Sequence, residues 1–294
     1  MDKILLLYNP LSGNGSFAHF LDDFIHKFQK KYFVTVLRLQ DIELSKYIKE
    51  LDDSYKAIVA AGGDGTINSV VNLMVENNIE LPLGIIPTGT VNDFARYINM
   101  PSSIIDSFEV LLKNKQKKID VGLVNNKYFV NVCAGGFLTS IPHQTDSVLK
   151  NRLGKIAYYL KGIQQLPKFQ TLSLKFKVGK KEFEEDIFLF MILNSSHAGG
   201  YSKLTPDSNL DDGLFELIAI KAGSVYEITN ALIDLFINKN LSNKNILYFK
   251  NKYFYIKPLN KPTNDTADID GEKGPDYPLE IKVIPKKIKI IYND

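Results

Sequence analysis

Three glycines fall within four residues in the stretch Ala61-Gly62-Gly63-Asp64-Gly65-Thr66-Ile67-Asn68. Glycine lets a backbone approach an anion closely and take positive φ. A helix starting near Thr66 would add free N–H groups and the positive end of its dipole. Together they make a phosphate cradle. Asp64 repels phosphate unless a cation intervenes, so its carboxylate implies either a Mg²⁺ role or a backbone cap. A tight strand-to-helix turn capped by Thr66 is the plainer reading, and the glycines alone do not separate the two. A second loop reads Pro87-Thr88-Gly89-Thr90-Val91-Asn92-Asp93-Phe94-Ala95-Arg96. Thr88 and Thr90 offer hydroxyls, and Asn92 or Asp93 can cap a helix. A third candidate runs from Asn9 to Ser16, where Gly13, Gly15 and Ala18 with Asp41 fit a dinucleotide fingerprint. That fingerprint needs its first glycine directly off the strand, and Gly13 comes five residues late. There is no Gly-x4-Gly-Lys-Ser/Thr loop.

Some two hundred residues on, Asp268-Ile269-Asp270-Gly271-Glu272 gathers three carboxylates around a glycine. Gly271 would let the chain turn tightly there and present the Asp270 carboxylate. A solvated Asp-Gly turn is the bland alternative. A calcium loop is not: with Gly271 at its sixth position, Thr266 and Tyr277 would stand where carboxylates are required. His19, His26, His143 and His197 show no ligand spacing, and the single cysteine, Cys133, reads as a small buried hydrophobe.

The elements that must position these residues come in two styles. Strands over residues 4–8, 33–39, 57–61 and 83–86 alternate with helical patterns over 17–30, 67–75 and 103–112, which predicts an α/β, mostly parallel sheet. The glycine loops then share the carboxyl edge where open α/β sheets bind ligands. Near Asp120 the character changes. Strands are predicted over 127–132, 171–178, 187–193, 214–220, 247–256 and 279–283, with helices over 147–166 and 224–238. Leu172, Leu174, Phe176 and Val178 alternate with polar residues, and Gly179-Lys180 looks like a hairpin turn. This half reads as a β-rich domain, an antiparallel β-sandwich.

These motifs, in this order, resemble the diacylglycerol kinase catalytic domain. The resemblance rests on Asn9-Pro10 with Ser12-Gly13, then Gly62-Gly63-Asp64-Gly65-Thr66, then Gly89-Thr90-x-Asn92-Asp93-Phe94-Ala95-Arg96, and continues through Asp120-Val121-Gly122, Gly199-Gly200, Pro206-Asp207, residues 210–216 and Asp270-Gly271-Glu272. It implies an N-terminal α/β nucleotide-binding domain over 1–122 and a C-terminal β-sandwich domain over 123–284. It also implies that a strand at about 285–294 returns to the first domain, and an active site in the cleft between the two. The implied chemistry is transfer of the γ-phosphate of ATP, with Mg²⁺, to a lipid hydroxyl, diacylglycerol above all. The implied nucleotide set is Asn9, Gly62, Gly63, Asp64, Gly65, Thr66, Asn68, Thr90, Asn92, Asp93 and Glu272. Asp270 is the implied general base. Asp64 is the implied water-mediated Mg²⁺ ligand, and Asn209, Asp212 and Leu214 form a second implied Mg²⁺ site away from the phosphates. The family often carries a Thr after its second strand, where this chain has Arg38-Leu39-Gln40-Asp41.

The 294 residues are 45% hydrophobic and 23% charged with a net charge of +3, ordinary for a globular protein and too weakly basic to point to nucleic acid. No stretch approaches the roughly 18 apolar residues of a membrane span, and the apolar run after Met1 is too short for a signal core. The expectation is a cytoplasmic enzyme that meets its lipid from the water side. Residues 147–168 carry Lys150, Arg152, Lys155, Lys161 and Lys168 with apolar residues at helical spacing, which suits an anionic membrane surface, while a core-packing helix with a solvated basic face is the plainer reading. Two other readings stand beside the lipid kinase: a different kinase of the superfamily such as an NAD kinase, and a non-catalytic lipid-binding protein. The identity of the lipid and a homodimeric state are left open.

Overall fold

Leu5, Leu6 and Leu7 are at most 1% exposed, so the first strand is buried on both faces, the condition of a parallel strand covered by helices. The computed structural model describes residues 1–39, 44–136, 171–260 and 266–294. They divide into one unit of Met1–Val121 with Ile284–Asp294 and a second of Gly122–Val283.

In the first unit, β1 (Lys3–Tyr8) lies between β2 (Phe33–Arg38) and β3 (Tyr55–Gly62), and β4 (Leu83–Pro87) follows β3. All pair in parallel. The far side of β4 is taken by β15 (Leu279–Ile291), with Ile290 opposite Leu83. The helices are α1 (Leu21–Phe28), α2 (Leu44–Lys49), α3 (Asp64–Glu76), α4 (Asp93–Tyr97) and α5 (Ile104–Lys113). The spacing of Phe17, Phe20, Leu21, Phe24, Ile25 and Phe28 predicts one helix over 17–30. The chain instead winds 3-10 turns over Ser12–Phe20 and becomes α only at Leu21. Gly13 and Gly15 take φ of 57° and 74°, which a right-handed helix does not include, so regular winding starts late. The expected apolar stripe still buries its rings. Phe24 stacks on Phe28 at 4.1 Å and meets Phe108 of α5 edge-on at 5.3 Å, while Phe17 reaches Phe24 at 6.4 Å. This cluster joins α1 and α5 under the sheet.

The second unit is antiparallel. β7 (Val132–Gly136) and β8 (Leu172–Val178) flank the long β9 (Lys181–Leu193), and β10 (Phe215–Lys221) pairs β9 and β11 (Ile246–Asn251). β12 (Tyr253–Pro258) pairs β8 and the Leu279–Lys282 end of β15, and β13 (Thr266–Ile269) pairs β7 and β14 (Glu272–Asp276). β5 (Gln116–Val124) forms a hairpin with β6 (Lys127–Phe129). Gly179, at φ 59°, turns the chain between Val178 and its partner Lys181. Alternate residues serve two cores. Phe215, Leu217 and Ala219 join Phe176, Phe190 and Phe254 on one face. Ile218 and Ile220 face α6 (Val225–Ile233), whose Ile228, Ala231 and Leu232 cover them. A capping box of Ser224 and Glu227 starts α6, and a π turn over Asp234–Asn238 ends it.

Residues 247–256 are not the single strand their pattern predicts. Asn251 Oδ1 accepts the N–H groups of Lys252 and Tyr253, and the chain bends there to pair with β10 before the bend and with β8 and β15 after it. The helix expected over 147–166 lies outside the described residues.

Truncating Phe24 to Ala empties the centre of the aromatic cluster. It is expected to cost about 3–5 kcal/mol, read as a lowered urea midpoint with an unchanged slope.

Candidate active site

Parallel register sets the first half of the site. Tyr8 pairs Ala61 and Gly62 pairs Pro87, so the loops leaving β1, β3 and β4 start side by side at the carboxyl edge. Backbone hydrogen bonds extend the ladder one step into each loop, from Asn9 N–H to the Ala61 carbonyl and from Thr88 N–H to the Gly62 carbonyl. The three loops then touch through bare backbone. A Cβ on Gly13 would lie 1.9 Å from the Thr88 carbonyl oxygen, and one on Gly89 would lie 2.5 Å from Gly63 Cα. No side chain fits at either place.

Side chains fix these loops. Asn9 accepts the Leu11 N–H through Oδ1 and donates from Nδ2 to Thr66 Oγ1 at 3.1 Å. Asn92, left-handed at φ 54°, accepts the Gly89 N–H at 2.9 Å and donates to the Gly89 carbonyl at 2.8 Å. The regular helix begins at Asp64, with Gly63 as its cap, two residues before the start expected at Thr66. Asp64 serves as a backbone cap: its two carboxylate oxygens accept the N–H groups of Asp93 and Phe94, each at 3.1 Å, and so hold the start of α4. Burial pushes the Asp64 carboxyl above the usual carboxylate range, against the pull of those donors. A carboxylate has about four lone-pair sites, so capacity remains for a water on a hydrated Mg²⁺. Beside it the buried Thr88 Oγ1 has no hydrogen-bond partner, an orphan hydroxyl of the kind a phosphate or an ordered water satisfies.

Thus Asn9, Gly62, Gly63, Asp64, Gly65, Thr66, Thr90, Asn92 and Asp93 share one edge of the first unit. Asn68 sits a helical turn further on, is 4% exposed, and its side-chain oxygen accepts from Asn72. Glu272 belongs to the second unit, where it opens β14 and is exposed.

In the second unit, Asp270 and Gly271 make the two-residue turn between β13 and β14, flanked by the pair Ile269 and Glu272. Their φ values of 51° and 86° are those of a type I′ hairpin, which favours Asp-Gly. The turn is no solvated tip. Asp270 is 5% exposed, and its carboxylate accepts the N–H groups of Val130 at 2.7 Å, Asn131 at 2.9 Å and Val132 at 2.7 Å. Its own N–H returns a bond to the Val132 carbonyl. Sequence reasoning missed what holds segment 130–132. Asn194 Nδ2 donates to the Val130 carbonyl at 2.7 Å and Asn194 N–H to the Asn131 carbonyl, while Ser195 Oγ donates to Asn131 Oδ1. The available signal was polarity out of place: Asn131 interrupts an apolar run, and Asn194-Ser195 ends one.

The expected second metal set falls in the loop before β10. Asn209 is exposed. Asp212 Oδ1 accepts the Leu214 N–H at 3.0 Å, and Asp212 Oδ2 faces Lys250 Nζ at 2.9 Å. Among the described residues, no three His, Cys, Asp or Glu side chains converge to hold a metal ion.

Comparison with known proteins covers nearly all of the chain. Residues 3–124 match the family described as diacylglycerol kinase catalytic domain, and residues 132–292 match the YegS C-terminal NAD kinase beta sandwich-like domain. The chain is 33% identical over 297 residues to a diacylglycerol kinase of Staphylococcus haemolyticus, covering 98% of this chain and 89% of that one. It is 32% identical to a diacylglycerol kinase of Staphylococcus aureus, covering 97% and 90%. A crystal structure of a putative diacylglycerol kinase from Bacillus anthracis superposes with a TM-score of 0.83 at 27% identity, covering 99% of this chain and 97% of the other.

Replacing Asp270 by Asn leaves an oxygen for two of the three N–H donors but sets an amide N–H₂ against the third. A loss of about 1–3 kcal/mol is expected from that unpaired N–H, visible as a lowered melting midpoint.

Proposed function

We propose that this chain, which belongs to the diacylglycerol kinase family, transfers the γ-phosphate of ATP to a lipid hydroxyl, with diacylglycerol the first acceptor to test. The carrying observation is the meeting of glycine-bare loops at the carboxyl edge of the first unit, where Gly13 and Gly89 leave no room for a Cβ. Bare backbone packed that closely, beside the first turn of α3, presents N–H groups to an anion at a positive dipole end. A triphosphate suits that edge.

The chain's own residues then have distinct tasks. The loops at 62–66 and 88–92 position the phosphates. Asp64 holds the second loop against the first by capping α4, with spare lone pairs toward hydrated metal. A bound Mg²⁺ would neutralise the charge that develops on the phosphate oxygens. In the second unit, the three N–H donors hold the Asp270 carboxylate in one orientation. That carboxylate is the proposed proton acceptor. As the acceptor oxygen bonds to phosphorus, its proton passes to Asp270, and the bond from phosphorus to the β–γ bridging oxygen breaks to release ADP.

No helix among the described residues is long and apolar enough to cross a membrane. The proposed enzyme works on its lipid as a peripheral visitor to the membrane surface.

The test is transfer of label from [γ-³²P]ATP to a panel of lipids in mixed micelles: diacylglycerol, other glycerolipids, a sphingoid base and a polyprenol. Diacylglycerol is expected to label best. Asp270→Asn is expected to lose about 10²–10⁴-fold in kcat with nucleotide affinity kept, assayed well below its melting midpoint. An absence of label in every lipid would defeat the proposal. Gly89→Ala drives a methyl group into Gly63, and a drop on the order of 10²-fold in kcat/KM for ATP is expected from the displaced loops.

A further inference from the structure

The loop between Thr205 and Phe215 contains the residues that the family resemblance offers as a second Mg²⁺ site, yet a cation already stands in it. Lys250 Nζ lies 2.9 Å from Asp212 Oδ2, 3.3 Å from Glu216 Oε1 and 3.0 Å from the Asp207 carbonyl oxygen. An ammonium has three N–H bonds, and three oxygens surround this one, the Glu216 Oε1 contact being an ion pair and not an aligned hydrogen bond. The placement is set by the sheet, because Lys250 of β11 is the direct antiparallel partner of Glu216 of β10. Asp207 and Asp212 reach the same ammonium from the loop.

The carboxylates are committed in turn. Asp212 divides its oxygens between the Leu214 N–H and Lys250. Glu216, only 1% exposed, takes Ser208 Oγ on one oxygen at 2.9 Å and Lys250 on the other. We infer that the Lys250 ammonium is the resident cation of this loop, and that Asp212 holds no Mg²⁺ there. Mg²⁺ demands a near-octahedral set of oxygens at about 2.0–2.1 Å. To reach Asp212 Oδ2 it would have to sit against an ammonium of like charge or expel it. Expulsion would strand the buried Glu216 without its counter-charge, a costly arrangement. Asn209 and Leu214 bring no charge that would reverse the balance. The inference concerns a structural cation and does not rest on the phosphoryl-transfer reading.

Melting curves without nucleotide supply the test. The wild-type midpoint is expected to be the same with and without MgCl₂. Lys250→Met is expected to lower it by roughly 5 °C, and MgCl₂ to restore part of the loss, because the vacated oxygens become a divalent site. Two results would overturn the inference. One is a Mg²⁺-dependent rise in the wild-type midpoint that Asp212→Asn abolishes. The other needs no variant: an anomalous Mn²⁺ peak bonded to Asp212 in wild-type crystals soaked with MnCl₂.

Discussion

A carboxylate can be taken out of water only where hydrogen-bond donors meet it, and this fold meets that demand with backbone N–H groups. Asp64 takes two, from the start of α4. Asp270 takes three, from a segment some 140 residues earlier. Asp120, fully buried at the end of the first unit's chain path, takes the N–H of Lys286 at 2.8 Å. In each case the acid joins pieces of chain that are not neighbours in sequence: a helix start for Asp64, segment 130–132 for Asp270 and Lys286 within β15 for Asp120. The residues expected to do chemistry therefore also hold their surroundings together. Activity lost on substituting them mixes chemistry with architecture.

The edge of the first unit was largely legible in the sequence. Glycines in loops after apolar runs announce close backbone approach, and neighbouring parallel strands place such loops together. The helix start was legible only to within two residues, because either Thr66 or Gly63 can cap and the choice falls to the Gly62–Gly63 backbone. What Asp270 does could not be read locally. Asp-Gly specifies a tight turn and says nothing about solvent. The deciding fact is that segment 130–132 comes to rest over it with three free N–H groups, a long-range consequence of β13 pairing with β7. Asn131, Asn194 and Ser195 show only as polar residues in or beside apolar runs, and their partners follow from strand pairing that the sequence does not state.

Lys250 escaped for a different reason. It is one polar residue near the end of a mostly apolar strand, and only the register of β10 against β11 sets it opposite Glu216. Family resemblance transfers a metal site by matching Asn209, Asp212 and Leu214, but occupancy depends on every charge within a few ångströms, including those from a strand the motif does not contain. The split of residues 247–256 at Asn251 belongs to the same class: the apolar pattern runs through the bend, and one side-chain carbonyl redirects the backbone.

The first unit draws on both ends of the described chain, since Ile284–Asp294 belongs with Met1–Val121. During synthesis, β4 therefore emerges with one side of its hydrogen-bonding edge bare, and its partner β15 follows only after about two hundred more residues have left the ribosome. At translation rates of some 5–20 residues per second, that is an interval of roughly 10–40 s. A buried strand with an open edge invites pairing with the wrong chain. The nascent first unit keeps that edge open until β15 arrives.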